Sequence, residues 1–157
     1  MRQVSRQPTL YLLCGLPGAG KTTLAQEIEA KHGALRLTPD EWIAELLSSP
    51  GDVAERDRLR EPIESLQWRV AKQALALGSD VILDWGLWSK DERDRLRSEA
   101  TELGAQVEIA FLNPPREELV RRLRERQRVF GAFEVSEDEL DRWSNWLEVP
   151  SEEELSK

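Results

Sequence analysis

Gly15-Leu16-Pro17-Gly18-Ala19-Gly20-Lys21-Thr22 has the full G-x-x-x-x-G-K-[ST] spacing, a pattern suited to holding phosphate. Glycines let the backbone turn its N–H groups inward around phosphate oxygens without Cβ clashes. A helix starting near Lys21 adds free N–H groups and the positive end of its dipole. Lys21 is placed to reach the β- and γ-phosphates, and the Thr22 hydroxyl to ligate Mg²⁺. Thr23, in the first helical turn, is placed to donate to the α-phosphate. Nucleotide binding is therefore expected from Gly15, Pro17, Gly18, Ala19, Gly20, Lys21, Thr22 and Thr23. A glycine-rich turn with an incidental lysine is the plainer alternative. The flanks count against it, because an apolar run (Leu10 to Cys14) precedes the loop and a helix-like stretch (Leu24, Ala25, Ile28) follows.

Two carboxylates stand where they could complete phosphoryl-transfer chemistry. Asp84 follows Val81-Ile82-Leu83, the apolar-strand-then-aspartate pattern that orients Mg²⁺ directly or through water. Asp40 lies within Thr38-Pro39-Asp40-Glu41, which reads as a capping box with Thr38 as N-cap, proline at N1 and Glu41 at N3. That box satisfies the helix end without Asp40. The aspartate is then free to act as a general base on a hydroxyl attacking the γ-phosphate; complementing the helix dipole is the competing role.

The elements that must position these groups alternate. Residues 9–14 read as a buried strand, and a helix runs from Lys21 to a stop at Gly33. Residues 34–37 form a short strand, followed by a helix with Trp42, Ile43, Leu46 and Leu47 on its apolar face. Ser48 to Gly51 breaks the pattern, and the charged stretch to Arg60 reads as solvated and mobile. Helical spacing then runs from Leu59 through Ile63, Leu66, Val70, Ala74 and Leu77, with Pro62 fitting a first turn better than an interior.

A third strand ends at Asp84, and Ser89 to Glu92 is a second capping box opening a helix. The run Gln106 to Leu112 is a fourth strand. An arginine-rich helix follows Asn113-Pro114-Pro115, and Gly131 punctuates the segment after it. Ser136 to Glu139 caps the last helix. The expected fold is α/β: a three-layer α/β/α sandwich around a mainly parallel sheet of four or five strands. One domain covers residues 1–157, with an arginine-rich lid at 116–133 and flexible ends at 1–8 and 151–157.

Composition narrows the function. The chain has 157 residues, one cysteine, one histidine and a net charge of −8. This leaves no disulfide framework or cysteine-based metal site, and no support for zinc or serine–histidine chemistry. With no signal peptide and no membrane-length apolar stretch, a cytoplasmic setting is expected. The acidic balance argues against general attraction to nucleic acid, while a local basic site stays open. Between Arg116 and Arg128 there are six arginines against three glutamates, and at least one arginine is expected to bind phosphate bidentately. Trp85 and Trp88 flank the turn after Asp84. Both could stack on a substrate, although packing is the simpler role. Arg93, near the start of the next helix, is a further candidate for the substrate site, and a structural ion pair is its alternative.

Residues 15–23, 37–42, 82–89 and 92–94 together resemble a family of small bacterial P-loop proteins labelled AAA-family ATP-binding proteins. These are similar in outline to chloramphenicol phosphotransferase, zeta toxins and the kinase domain of polynucleotide kinases. The resemblance spans residues 9–150. It implies a kinase-type fold, Asp40 at the base position, and lid arginines at the phosphates, here Arg122 and Arg126. The expected activity is ATP- and Mg²⁺-dependent transfer of phosphate to a hydroxyl of a small molecule. A polynucleotide or nucleotide kinase and a non-catalytic ATP-binding module are the alternatives. No N-K-x-D guanine-reading motif is present, which favours ATP. A monomer and a dimer are equally compatible with the chain.

Overall fold

The computed structural model describes residues 6–49, 51–130 and 135–156, and the side chains of all of these except 127–130. β1 (Thr9–Cys14) is buried along its whole length, as a central parallel strand must be. It pairs with β3 (Val81–Gly86) on one side and β4 (Gln106–Phe111) on the other, and β2 (Leu35–Leu37) lies beyond β3. The order β2-β3-β1-β4 is parallel throughout, and the described residues form four strands.

Alternation along β1 divides the core between the two faces of the sheet. Leu10, Leu12 and Cys14 pack with Trp68, Ala71, Leu75, Leu96 and Ala100 from α3 (Val53–Ala76) and α4 (Lys90–Glu102). Tyr11 and Leu13 pack on the other face with Leu24, Ala25 and Ile28 of α1 (Lys21–His32). A third cluster joins Leu16 and Ala19 of the loop after β1 to Leu119 and Leu123 of α5 (Arg116–Phe130) and to Leu140 and Trp143 of α6 (Glu137–Trp146).

Several local expectations are corrected. β3 continues past Asp84 to Gly86, because Trp85 still faces the core. The stretch before Arg60 is ordered as the first turns of α3, with the Asp52 side chain accepting from the Glu55 N–H at 3.0 Å. Pro62 is consequently interior to a 24-residue helix, held there by burial of Arg56, Ile63 and Trp68.

The capping box of α2 (Pro39–Leu46) does not form, since Thr38 is the N-cap residue but its side chain makes no capping bond. Arg36 draws both partners away, donating to Thr38 Oγ1 at 2.9 Å and to Glu41 Oε1 at 2.7 Å.

The ends are also less free than expected. Arg6 pairs with Asp80 at 2.9 Å, and the acidic tail folds as α7 (Glu152–Ser156) with Glu154 buried. Gly131 lies outside the described residues. Trp68 and Trp143 pack into the core clusters, whereas Trp146 is 61% exposed.

Candidate active site

The loop from Gly15 to Gly20 follows β1 at the carboxyl edge of the sheet, where open parallel folds gather ligands. Its start is tied to β3 by the Gly15 N–H donating to the Gly86 carbonyl at 3.0 Å. Gly15 has no room for a side chain, because a Cβ there would lie 2.7 Å from the Leu112 carbonyl oxygen. Gly18 has a φ of +84° and sits against Leu123 of α5, so the loop needs its left-handed freedom. The result is a backbone cradle with α1 starting at Lys21.

Lys21 is half-buried, and its Nζ donates to the Leu16 carbonyl at 3.0 Å. Burial pulls its pKa down, the charges of Asp84 and Asp40 push it back up, and Arg126 adds to the downward pull. Charges on α2, β3 and α5 therefore bear on the one ammonium at the start of α1. The Thr22 hydroxyl donates to Asp84 Oδ2 at 2.7 Å, and the Thr38 hydroxyl reaches the same oxygen at 3.1 Å. Asp84 is buried, and this hydroxyl–carboxylate pair has the hard oxygen donors that magnesium takes. The residues present fit a magnesium ion beside the cradle.

Among the arginines of α5, Arg116 binds Asp141 at 2.9 Å and Arg121 binds Glu118 and Glu125. Arg124 lies 3.6 Å from Glu137. These three form the outer face. Arg122 turns inward, donating to the Gly18 carbonyl at 3.3 Å while Glu118 holds its Nε at 2.8 Å. Arg126, one turn on, is exposed and acts on Lys21. Thus Arg122 touches the loop, Arg126 follows it one turn on, and Arg116, Arg121 and Arg124 are committed to carboxylates.

Arg93, Trp85 and Trp88 are not presented to a substrate. Arg93 is completely buried, donating to Glu154 at 2.9 Å and to the Leu87 carbonyl at 2.8 Å. Trp85 donates to Gln67 Oε1 at 2.9 Å and packs into the core. Trp88 donates to the Gly15 carbonyl at 3.1 Å and lies against Trp143, so it braces the loop from behind.

A group of residues with no sequence motif stands at Asp40. Arg60 of α3 donates from Nη2 to Asp40 Oδ1 at 2.6 Å, and its Nη1 lies 3.7 Å from Glu64. Burial, the charges of Glu92 and Asp40, and the opposing pull of Arg60 together move Glu64 up to about 7. Glu92 is raised as well, chiefly by burial. Arg60 and Glu64 lie within the helix expected from residue 59, but they belong to no motif, and Arg60 meets Asp40 across 20 residues, so no local signal marks the pair.

A glycine cradle, a helix-borne lysine and a hydroxyl–aspartate pair on a parallel sheet define a P-loop kinase-like domain. The chain belongs to an AAA domain family, AAA_33, whose model matches residues 10–150. No functionally curated protein matches it.

Solved structures share the fold. One from the Pnkp1/Rnl/Hen1 RNA repair complex is 20% identical with a TM-score of 0.68, covering 93% of this chain and 46% of that one. A gluconokinase from Sinorhizobium meliloti 1021 is 20% identical with a TM-score of 0.61, covering 96% and 81%. Chaetomium thermophilum Kti12 in complex with ADP-AlF3 is 20% identical with a TM-score of 0.64, covering 90% and 81%. The chain spans less than half the length of the two Pnkp1/Rnl/Hen1 chains it matches. Among the described residues no helix is long and apolar enough to cross a membrane.

Proposed function

We propose that the protein transfers the γ-phosphoryl group of ATP to a hydroxyl of a small molecule. One observation carries this reading. Asp40 takes no part in the Thr22–Asp84 pair and is held at one oxygen by Arg60 at 2.6 Å, and a domain that only binds nucleotide has no need of that second carboxylate. The cradle and Lys21 hold the phosphates. Arg122 and Arg126 meet the charge that spreads over the transferring oxygens. Thr22 and Asp84 would hold magnesium, which would supply neutralisation of phosphate charge. Asp40 orients the acceptor hydroxyl and takes its proton.

The surroundings of Asp40 favour an acceptor without negative charge. Asp40 and Glu64 share Arg60, and the charge of Glu92 adds to theirs at Glu64, so an anionic acceptor would meet repulsion. The structural likeness to a Pnkp1-containing complex keeps a polynucleotide 5′-hydroxyl as the second reading.

The test is transfer from labelled MgATP to a panel of neutral alcohols and a 5′-hydroxyl oligonucleotide. Wild type is expected to phosphorylate a small alcohol. Asp40→Asn should lower that rate by about 10²–10⁴-fold with nucleotide affinity kept. Lys21→Ala should cost about tenfold or more in MgATP affinity or turnover. Transfer to the oligonucleotide alone would move the assignment to a polynucleotide kinase. MgATP binding without any transfer would reduce it to a nucleotide-binding module.

A further inference from the structure

We propose that Arg60 is a positioning residue for Asp40, holding one carboxylate oxygen so that the other meets the acceptor hydroxyl. The inference rests on the reading of Asp40 as the base. Arg60 Nη2 binds Asp40 Oδ1 at 2.6 Å, whereas Oδ2 takes no hydrogen bond from the described residues. Asp40 side-chain exposure is 55%, so packing alone leaves its carboxylate free to rotate. Arg60, 38% exposed, supplies the missing constraint from a different helix.

Arg60 is itself constrained. Its Nη1 lies 3.7 Å from Glu64, one turn further along α3 and only 21% exposed. The guanidinium thus spans two carboxylates on two helices, an arrangement its planar fork suits and a lysine fits less well. A surface ion pair of ordinary kind adds little to stability. This one joins α2 to α3 through the carboxylate proposed as the base.

In the transfer step the acceptor oxygen bonds to the γ-phosphorus, and the bond from that phosphorus to the β–γ bridging oxygen breaks. ADP leaves with the bridging electrons, and the acceptor proton passes to Asp40 Oδ2 and then to solvent. Arg60 touches none of the reacting atoms. Its contribution is the alignment of Oδ2, a geometric effect to which rates respond steeply.

The test uses the whole chain with MgATP and water as the acceptor, read as phosphate release, and is repeated with the best alcohol of the panel. Arg60→Gln is expected to lower kcat by about tenfold to a hundredfold. The acceptor KM and the affinity for a fluorescent ATP analogue should hold. Arg60→Lys should recover part of the loss. In an Asp40→Asn background, Arg60→Gln should cost nothing further, because a residue acting through Asp40 has nothing left to position.

An undiminished Arg60→Gln effect in that background would overturn the inference, as would a change confined to KM. If Asp40→Asn slows turnover and Arg60→Gln does not, Arg60 fails while the base assignment stands. If Asp40→Asn leaves the rate unchanged, the base assignment fails first. Wild type without turnover on any acceptor overturns both. Should Arg60→Gln not fold, Arg60→Lys carries the same comparison.

Discussion

Burial, with the charges of Glu92 and Asp40, moves the pKa of Glu64 from 4.5 to about 7. A carboxyl with a raised folded-state value binds more protons in the native than in the unfolded protein. Its ionisation therefore opposes folding increasingly as pH rises from about 4.5 through 7. Glu64→Gln removes that penalty. The variant should gain about 1–2 kcal/mol over wild type at pH 8 and show no gain at pH 4.5. Urea midpoints at the two values check this, and equal differences at both would show that Glu64 titrates normally. The unfavourable carboxyl sits next to the residue proposed as base, and strain of that kind concentrates at functional sites.

Among the elements, α7 has an influence larger than its five residues suggest. Arg93 on α4 has no exposure, and Glu154 on α7 supplies its counter-charge. The Arg93 guanidinium also holds the carbonyl of Leu87, a non-glycine residue at φ 49°, just past the strand that anchors Gly15. Removing one partner of a buried pair leaves an uncompensated charge, so Glu154→Gln should cost about 3–5 kcal/mol near neutral pH. The Arg93 hydrogen bond is the main cause of the lowered Glu154 pKa. A carboxylate lowered in the fold contributes stability that is lost as pH falls. The difference between wild type and variant should narrow below the ordinary glutamate range. Thermal unfolding at pH 7 and pH 3.5 measures it, and a constant difference would mean the charge is not what matters.

Across the whole molecule, α5 is the helix packed on the phosphate-binding loop, and under the proposed function it is the element that responds to nucleotide. Leu119 and Leu123 pack on Leu16 and Ala19, and Arg122 touches the loop backbone. The opposite face is occupied by its own ion pairs to α6. Phosphate in the cradle would give Arg122 and Arg126 a ligand that Lys21 alone does not saturate. Hydrogen exchange over residues 116–130 should slow when a non-hydrolysable ATP analogue and Mg²⁺ are added. Protection confined to residues 15–23 would assign the arginines to the surface.

The P-loop, the alternating elements and the burial of β1 were legible because each is written in neighbouring residues. Glycine spacing, apolar runs and helical periodicity act over a few residues, and the local chemistry dictates the local shape. Asp84 could be read for the same reason, standing directly after an apolar run. Asp40 was legible as a position but not as a partner. Arg60 is 20 residues away and Glu154 is 61 residues from Arg93, and nothing local says that either pair meets. Trp85 and Trp88 likewise sit beside the site in sequence while turning into the core. Thr38 lost its expected cap to Arg36 and Asp84. Such outcomes depend on which helix crosses which strand edge. Only the packed sheet decides which charges share a desolvated space and which are left to water.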